Sequence, residues 1–142
     1  ARNFHSRGWT VAVHNRTTSV LDAFLAEHGD ERFVRSVSLD DVLAELVDRA
    51  DVVYHLAAAV GVQYILDYPL ESIKTNIQGT EKVLELCAKF RKKVLIASSS
   101  EVYGKHTHAP LVETDNIIYG PSSKFRWSYA ASKLMDEFTA LA

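Results

Sequence analysis

Residues 51–58, Asp-Val-Val-Tyr-His-Leu-Ala-Ala, form the stretch on which the fold turns. After its opening aspartate the run is almost unbroken apolar and rich in β-formers. That pattern suits a central parallel strand covered on both faces. The run passes into small residues at 57–61. Upstream, residues 9–14 (WTVAVH) read as a shorter strand, and Asn15-Arg16-Thr17-Thr18 as a polar loop. Ser19 is placed to cap a helix with Val20, Leu21, Phe24 and Leu25 on its apolar stripe. Residues 33–37 give a weaker strand, and Ser38 caps a helix carrying Leu39, Val42, Leu43, Leu46 and Val47. Downstream, Pro69 marks a turn before a long helix over about 70–90. Its expected inward positions are Ile73, Ile77, Val83, Leu84, Leu86 and Cys87. Residues 94–98 (VLIAS) are the last clear strand, a polar loop runs to about Ser128, and a helix closes the chain. Strands alternating with helices in this way predict an α/β fold with a parallel sheet.

The totals narrow the function classes. Of 142 residues 47% are hydrophobic and 24% charged, and the net charge is −2, so the sequence gives no sign of a nucleic-acid or anionic-membrane partner. No apolar run approaches the ~18 residues of a membrane span. A single cysteine, Cys87, leaves no internal disulfide and points to a reducing, cytoplasmic setting, with the thiol as buried filler. The basic run at 89–93 suits a helix C-terminus. His106 and His108 have no carboxylate or cysteine at metal spacing, so no metal site is expected. Ser99 lacks the Gly-x-Ser-x-Gly elbow of a hydrolase nucleophile.

Ligands of open parallel sheets bind beyond the carboxyl ends of the strands, and three loops fall there. Asn15-Arg16-Thr17 offers a guanidinium and a hydroxyl suited to a 2′-phosphate; a solvated turn is the other reading. Residues 55–61 have small side chains that let a flat ligand reach the backbone, or that serve close helix packing. Ser98-Ser99-Ser100-Glu101 offers hydroxyls for a sugar or ketone and a carboxyl for proton transfer, or else a simple turn at a strand end. In the last helix, Ser128-Tyr129-Ala130-Ala131-Ser132-Lys133 sets Tyr129 and Lys133 four apart, on one helical face. An ammonium beside a phenol favours the phenolate, making such a pair a proton donor and acceptor for a carbinol or ketone.

Four segments in order, DVVYHLAA (51–58), TNIQGTEKVLE (75–85), VLIASSSEVYG (94–104) and SYAASK (128–133), carry a resemblance. Residues 40–142 resemble the extended short-chain dehydrogenase/reductases of the NAD-dependent sugar epimerase/dehydratase family, with UDP-glucuronate decarboxylases and UDP-glucose epimerases the nearest-looking members. The resemblance implies a Rossmann-like sheet. It makes Ser99 the substrate-orienting hydroxyl, Tyr129 the acid/base, and Lys133 its activator and ribose contact. Glu101 takes the acid position of dehydratase and decarboxylase branches. His55, Leu56, Ala57, Ala58 and Asn76 stand on the cofactor side. Residues 1–38 are instead similar to the start of 6-phosphogluconate dehydrogenases, where Asn15, Arg16 and Thr17 would meet the 2′-phosphate of NADP. A chimera joined at about residues 37–45 is the corresponding expectation.

The six glycines (8, 29, 61, 79, 104 and 120) make no G-x-G-x-x-G. The loop that cradles a pyrophosphate at a helix N-terminus, and the strand before it, are therefore absent from this sequence, as is a substrate lobe. Residues 1–142 are thus expected to form one incomplete Rossmann-like domain, a compact four-stranded parallel core whose open edges favour self-association. Charge-assisted contacts are worth about 1.5–3 kcal/mol each, so losing two or three weakens NADP or NAD binding by powers of ten. The main expectation is accordingly an engineered or recombined domain without full catalytic activity. The alternatives are an NAD(P)-dependent nucleotide-sugar epimerase, dehydratase or decarboxylase with a Ser-Tyr-Lys site, and a residual NADP-binding module.

Overall fold

The computed structural model describes residues 11–13, 18–29, 33–35, 38–107 and 109–142. The chain divides into two compact units, Ala1–Asp51 and Val52–Ala142.

The first unit is a βαβα segment: β1 (Val11–Val13), α1 (Thr18–His28), β2 (Phe33–Arg35) and α2 (Leu39–Arg49). β1 and β2 pair in parallel, with Val11 opposite Phe33 and Val13 opposite Arg35. α1 starts at Thr18, one residue before the serine expected to cap it. Ser38 caps α2 as its spacing predicts. Its Oγ accepts the Asp41 N–H at 3.0 Å and donates to Asp41 Oδ2 at 2.7 Å. On α2, Val47 is buried, whereas Leu46 is exposed. Asn15, Arg16 and Thr17 lie outside the described residues.

The second unit holds β3 (Val52–His55), α3 (Val62–Asp67), α4 (Pro69–Lys89), β4 (Lys93–Ile96), a 3-10 turn (Ser100–Tyr103) and α5 (Trp127–Leu141). β3 and β4 pair in parallel from Val52–Lys93 to His55–Ile96. Pro69 opens α4 at its first turn, where a missing N–H costs nothing. On α4, Val83, Leu86 and Cys87 are buried as expected, but so are Ser72, Asn76 and Thr80. Burial raises the Cys87 thiol above its ordinary pKa, which suits filler rather than a reactive group.

Two expectations need correction. The described strands form two two-stranded parallel sheets, β1–β2 and β3–β4, rather than one four-stranded sheet. β3 is also not covered on both faces. Val52, Tyr54 and Leu95 are exposed, while His55 is buried and bonded to Thr80 of α4. An apolar run predicts burial only where a second layer of helix lies over the sheet.

Loop 105–126 is tied back by Gly104. The Lys105 N–H donates to Ile118 O at 2.7 Å, and the Ile118 N–H to Tyr103 O at 3.2 Å. Tyr119 then stacks on Trp127, ring centroids 5.8 Å apart, anchoring the loop to the start of α5. Among the described residues no helix is long and apolar enough to cross a membrane. Nor does any group of three or more His, Cys, Asp or Glu side chains there suit a metal ion.

Candidate active site

Because β3 and β4 are parallel, their carboxyl ends reach the same edge of the sheet. The last rung is extended by the Ala97 N–H, which donates to His55 O at 3.1 Å. The loops that leave this edge, residues 56–61 and 97–99, therefore start side by side. Ser99 has extended backbone, and its Oγ accepts the Glu101 N–H at 3.2 Å, starting the 3-10 turn. This local bond aims Glu101 and the Ser99 hydroxyl to one side.

On that side lies a cleft of about 610 Å³. Ser99, Glu101 and Tyr129 all line it, three of the expected catalytic residues drawn from the 3-10 turn with its cap and from α5. Val60, Gly61, Val62, Ile65 and Leu66 form an apolar wall, and residues 123–126 close the cleft beside Tyr129. A hydroxyl, a carboxyl and a phenol around one apolar space can orient a carbinol and move its proton.

Lys133 takes a different position from its expected partner. Its Nζ lies 3.1 Å from Asp136 Oδ2, with both side chains almost wholly buried, and it is not in the wall of the cleft. Among the described residues no hydrogen bond joins Lys133 to Tyr129. A buried ammonium requires a counter-charge, and Asp136, three residues on, supplies one from the same helix face.

The packing of α4 on α5 is unusually polar. His55 Nε2 is 3.0 Å from Thr80 Oγ1. Burial holds the His55 imidazole below its usual pKa; the Lys133 ammonium adds to this and the Asp136 carboxylate opposes it. Asn76, 2% exposed, accepts the Ala59 N–H at 2.6 Å. Its amide donates to Ala59 O at 3.2 Å and to Ser132 Oγ at 3.3 Å. Asn76 thus fixes the loop that follows β3.

In front of that loop is a second hollow of about 500 Å³, walled by His55, Ala57, Ala58, Ala59, Val60, Tyr64, Thr75 and Gly79. Leu56 is outside this wall and 66% exposed. The small side chains and pinned backbone fit a flat ring or ribose pressed against a strand tip, the contact a dinucleotide makes in such folds.

Several members of the site were not expected from the sequence: Ser72, Thr80, Ser132, Asp136, and the cleft residues Lys124 and Arg126. Ser72, Asn76 and Thr80 recur every four residues, so a buried polar stripe on α4 was available to read. Asp136 lies at helical spacing from Lys133 and was available in the same way.

The family model for the NAD dependent epimerase/dehydratase family matches residues 1–142. A UDP-N-acetyl-alpha-D-glucosaminuronate decarboxylase of Bacillus cytotoxicus is 48% identical over 97 residues, which is 68% of this chain and 30% of the relative. The PbgP3 protein of Burkholderia pseudomallei superposes with a TM-score of 0.70 at 27% identity, covering 92% of this chain and 40% of that one. A UDP-glucose 4-epimerase of Brucella ovis, solved in complex with NAD, gives 0.61 at 25% identity over 75% of this chain and 32% of its own. The chain therefore spans well under half the length of these relatives.

The family match runs through residues 1–38 as well. The separate 6-phosphogluconate dehydrogenase ancestry, and the recombined, inactive domain expected from it, find no support in these comparisons. A strand, a polar loop and a helix recur in every nucleotide-binding βαβ unit, so the pattern of that segment does not separate one family from another. With one family model matching from the first residue to the last, the chain belongs to the NAD dependent epimerase/dehydratase family.

Proposed function

We propose that this chain carries the proton-transfer face of an NAD-dependent nucleotide-sugar epimerase, dehydratase or decarboxylase. The observation that supports this reading is the single cleft whose wall holds Ser99, Glu101 and Tyr129 together. Ser99 orients a sugar hydroxyl toward Tyr129, which takes its proton as the hydrogen on the same carbon leaves as hydride. The carbinol thereby becomes a ketone. When bound, NAD supplies the hydride acceptor. Glu101 is the acid/base for elimination or for reprotonation after loss of a carboxyl group. The hollow at His55–Val60 would hold the cofactor, with Asn76 fixing its floor. Self-association through open strand edges belongs to the same proposal, and light scattering tests it.

The test is incubation with NAD and, in turn, UDP-glucose, UDP-N-acetylglucosamine and UDP-glucuronate, with product analysis. Conversion of one of them, reduced about 10²–10⁴-fold by Tyr129→Phe, is the expected result. No conversion, together with no NAD binding, would restore the reading of a non-catalytic domain.

A further inference from the structure

We infer that Ser72 of α4 and Ser128 of α5 hold one buried water between them, and that this bridge fixes the first turn of α5, where Tyr129 stands. The water site stands on the packing alone. Its consequence for proton transfer rests on the reading proposed above.

Two ladders of polar side chains run along these helices. Ser72, Asn76 and Thr80 recur every four residues on α4, and Ser128, Ser132 and Asp136 every four on α5. That spacing keeps each set on one helical face. Asn76 Nδ2 donates to Ser132 Oγ at 3.3 Å, so these two residues are opposite each other. One turn on, Thr80 holds His55, on which both charges of the Lys133–Asp136 pair act. Thr80 therefore lies at the Asp136 end, and the two helices run in the same direction. Ser72 and Ser128 share the remaining rung, one turn back from Asn76 and Ser132.

The neighbouring rung has no donor to spare. Asn76 spends its amide hydrogens on Ala59 O and Ser132 Oγ, and Ser132 gives its proton to Tyr129 O at 2.8 Å. Ser72 is 1% exposed. Its Oγ and that of Ser128 are both shut off from solvent, and neither has a hydrogen-bond partner among the described residues. Two unpaired hydroxyls on one rung of a packed interface are costly, and buried waters typically satisfy such groups. Each hydroxyl both donates and accepts, so one water can pair with the two whichever way its hydrogens point. No charged side chain belongs to this rung, which suits a neutral occupant. Ser132 bonds the Tyr129 carbonyl and the bridge takes the residue before it, so the backbone that carries the phenol is tied to α4 on both sides.

The rival arrangement turns each serine onto a carbonyl of its own helix. Thermal unfolding of Ser72→Ala, Ser128→Ala and the double variant separates the two. With a shared water, each single variant lowers the midpoint by about 2–5 °C. The double variant loses no more than the larger single, because the second substitution removes a group already stripped of its partner. Losses that add assign each hydroxyl to its own helix and overturn the inference. So does a raised midpoint in either single variant, which marks a hydroxyl that was never paired. A high-resolution crystal structure reads the site directly: one ordered water within hydrogen-bond reach of both hydroxyls is expected, and its absence overturns the site. Amide hydrogen exchange tests the hold on Tyr129. In Ser72→Ala the Tyr129 amide should exchange about tenfold faster relative to the Ala97 amide, although Ser72 lies on the other helix. Equal acceleration of the two amides overturns that hold. None of these readouts requires turnover, so their failure is distinct from failure of the nucleotide-sugar reading.

Discussion

Lys133 Nζ and Asp136 Oδ2 lie 3.1 Å apart inside α5, their side chains 3% and 2% exposed. An exposed pair at this spacing contributes little, but a buried pair is costly to break. Asp136→Asn should destabilise the protein by about 3–5 kcal/mol, because it strands an ammonium in a site closed to water. Replacing both residues by apolar ones of similar size, as in Lys133→Met with Asp136→Leu, should cost much less. Chemical denaturation of the three proteins checks this. A single variant as stable as wild type would mean that Lys133 finds another partner.

His55 gives a pH dependence with a definite sign. Its folded pKa lies below the usual value near 6.5, from burial first and the Lys133 ammonium second. The unfolded chain therefore binds a proton more readily than the folded one. The stability contributed by neutral His55 is fully present above about pH 6.5 and is lost as pH falls through the folded pKa. Thermal unfolding midpoints should decline between about pH 7.5 and 5.5, and His55→Gln should flatten that decline while keeping a polar contact for Thr80. An unchanged slope in the variant would assign the pH dependence to other groups.

The contrast between these two sites explains what the sequence disclosed. Every strand and every long helix among the described residues was legible, because apolar period and capping residues such as Ser38 and Pro69 act locally. Ser99, Glu101 and Tyr129 were legible as strand-end and helix residues, and the structure does bring them together. The direction of Lys133 was not, since it depends on which counter-charge wins once the helix is buried. The pairing of β1 with β2 and of β3 with β4 was hidden for a similar reason: strand order depends on long-range contacts that no local pattern records. Helix α3 was missed because six residues are too few for a period to stand out.

Gly104 should tolerate no side chain. Its φ is 73°, and a Cβ built there would sit 2.1 Å from Ile118 O. Gly104→Ala should therefore cost about 1–3 kcal/mol and loosen the hydrogen bonds that Tyr103 and Lys105 make with Ile118. Because Tyr119 follows Ile118 and stacks on Trp127, the fluorescence of Trp127 should change as well. Gly61 is the control. Its φ of 109° is equally unfavourable to other residues, but a Cβ there would meet nothing within 4 Å. Gly61→Ala should strain the backbone without disturbing Trp127. Identical fluorescence changes in both variants would show that the Ile118 contact does not set the loop.

Asn76 links the buried helix interface to the loop that walls both hollows. One side-chain oxygen takes the Ala59 N–H, and the amide nitrogen serves Ala59 O and Ser132 Oγ. Asn76→Ala leaves these groups to find water that the packed interface excludes, at about 1–3 kcal/mol for an unsatisfied buried group. Asn76→Asp keeps the acceptor for the Ala59 N–H but turns an oxygen toward the Ala59 carbonyl, replacing an attraction with a repulsion. Amide hydrogen exchange reads the difference locally. Exchange at Ala59 should accelerate by about tenfold or more in Asn76→Ala, while protection of the Ala97 amide, bonded to His55 O on the sheet, changes only with global stability. If Ala59 and Ala97 accelerate in step, the loop opens only with the sheet, and Asn76 holds the whole unit rather than the wall of the site.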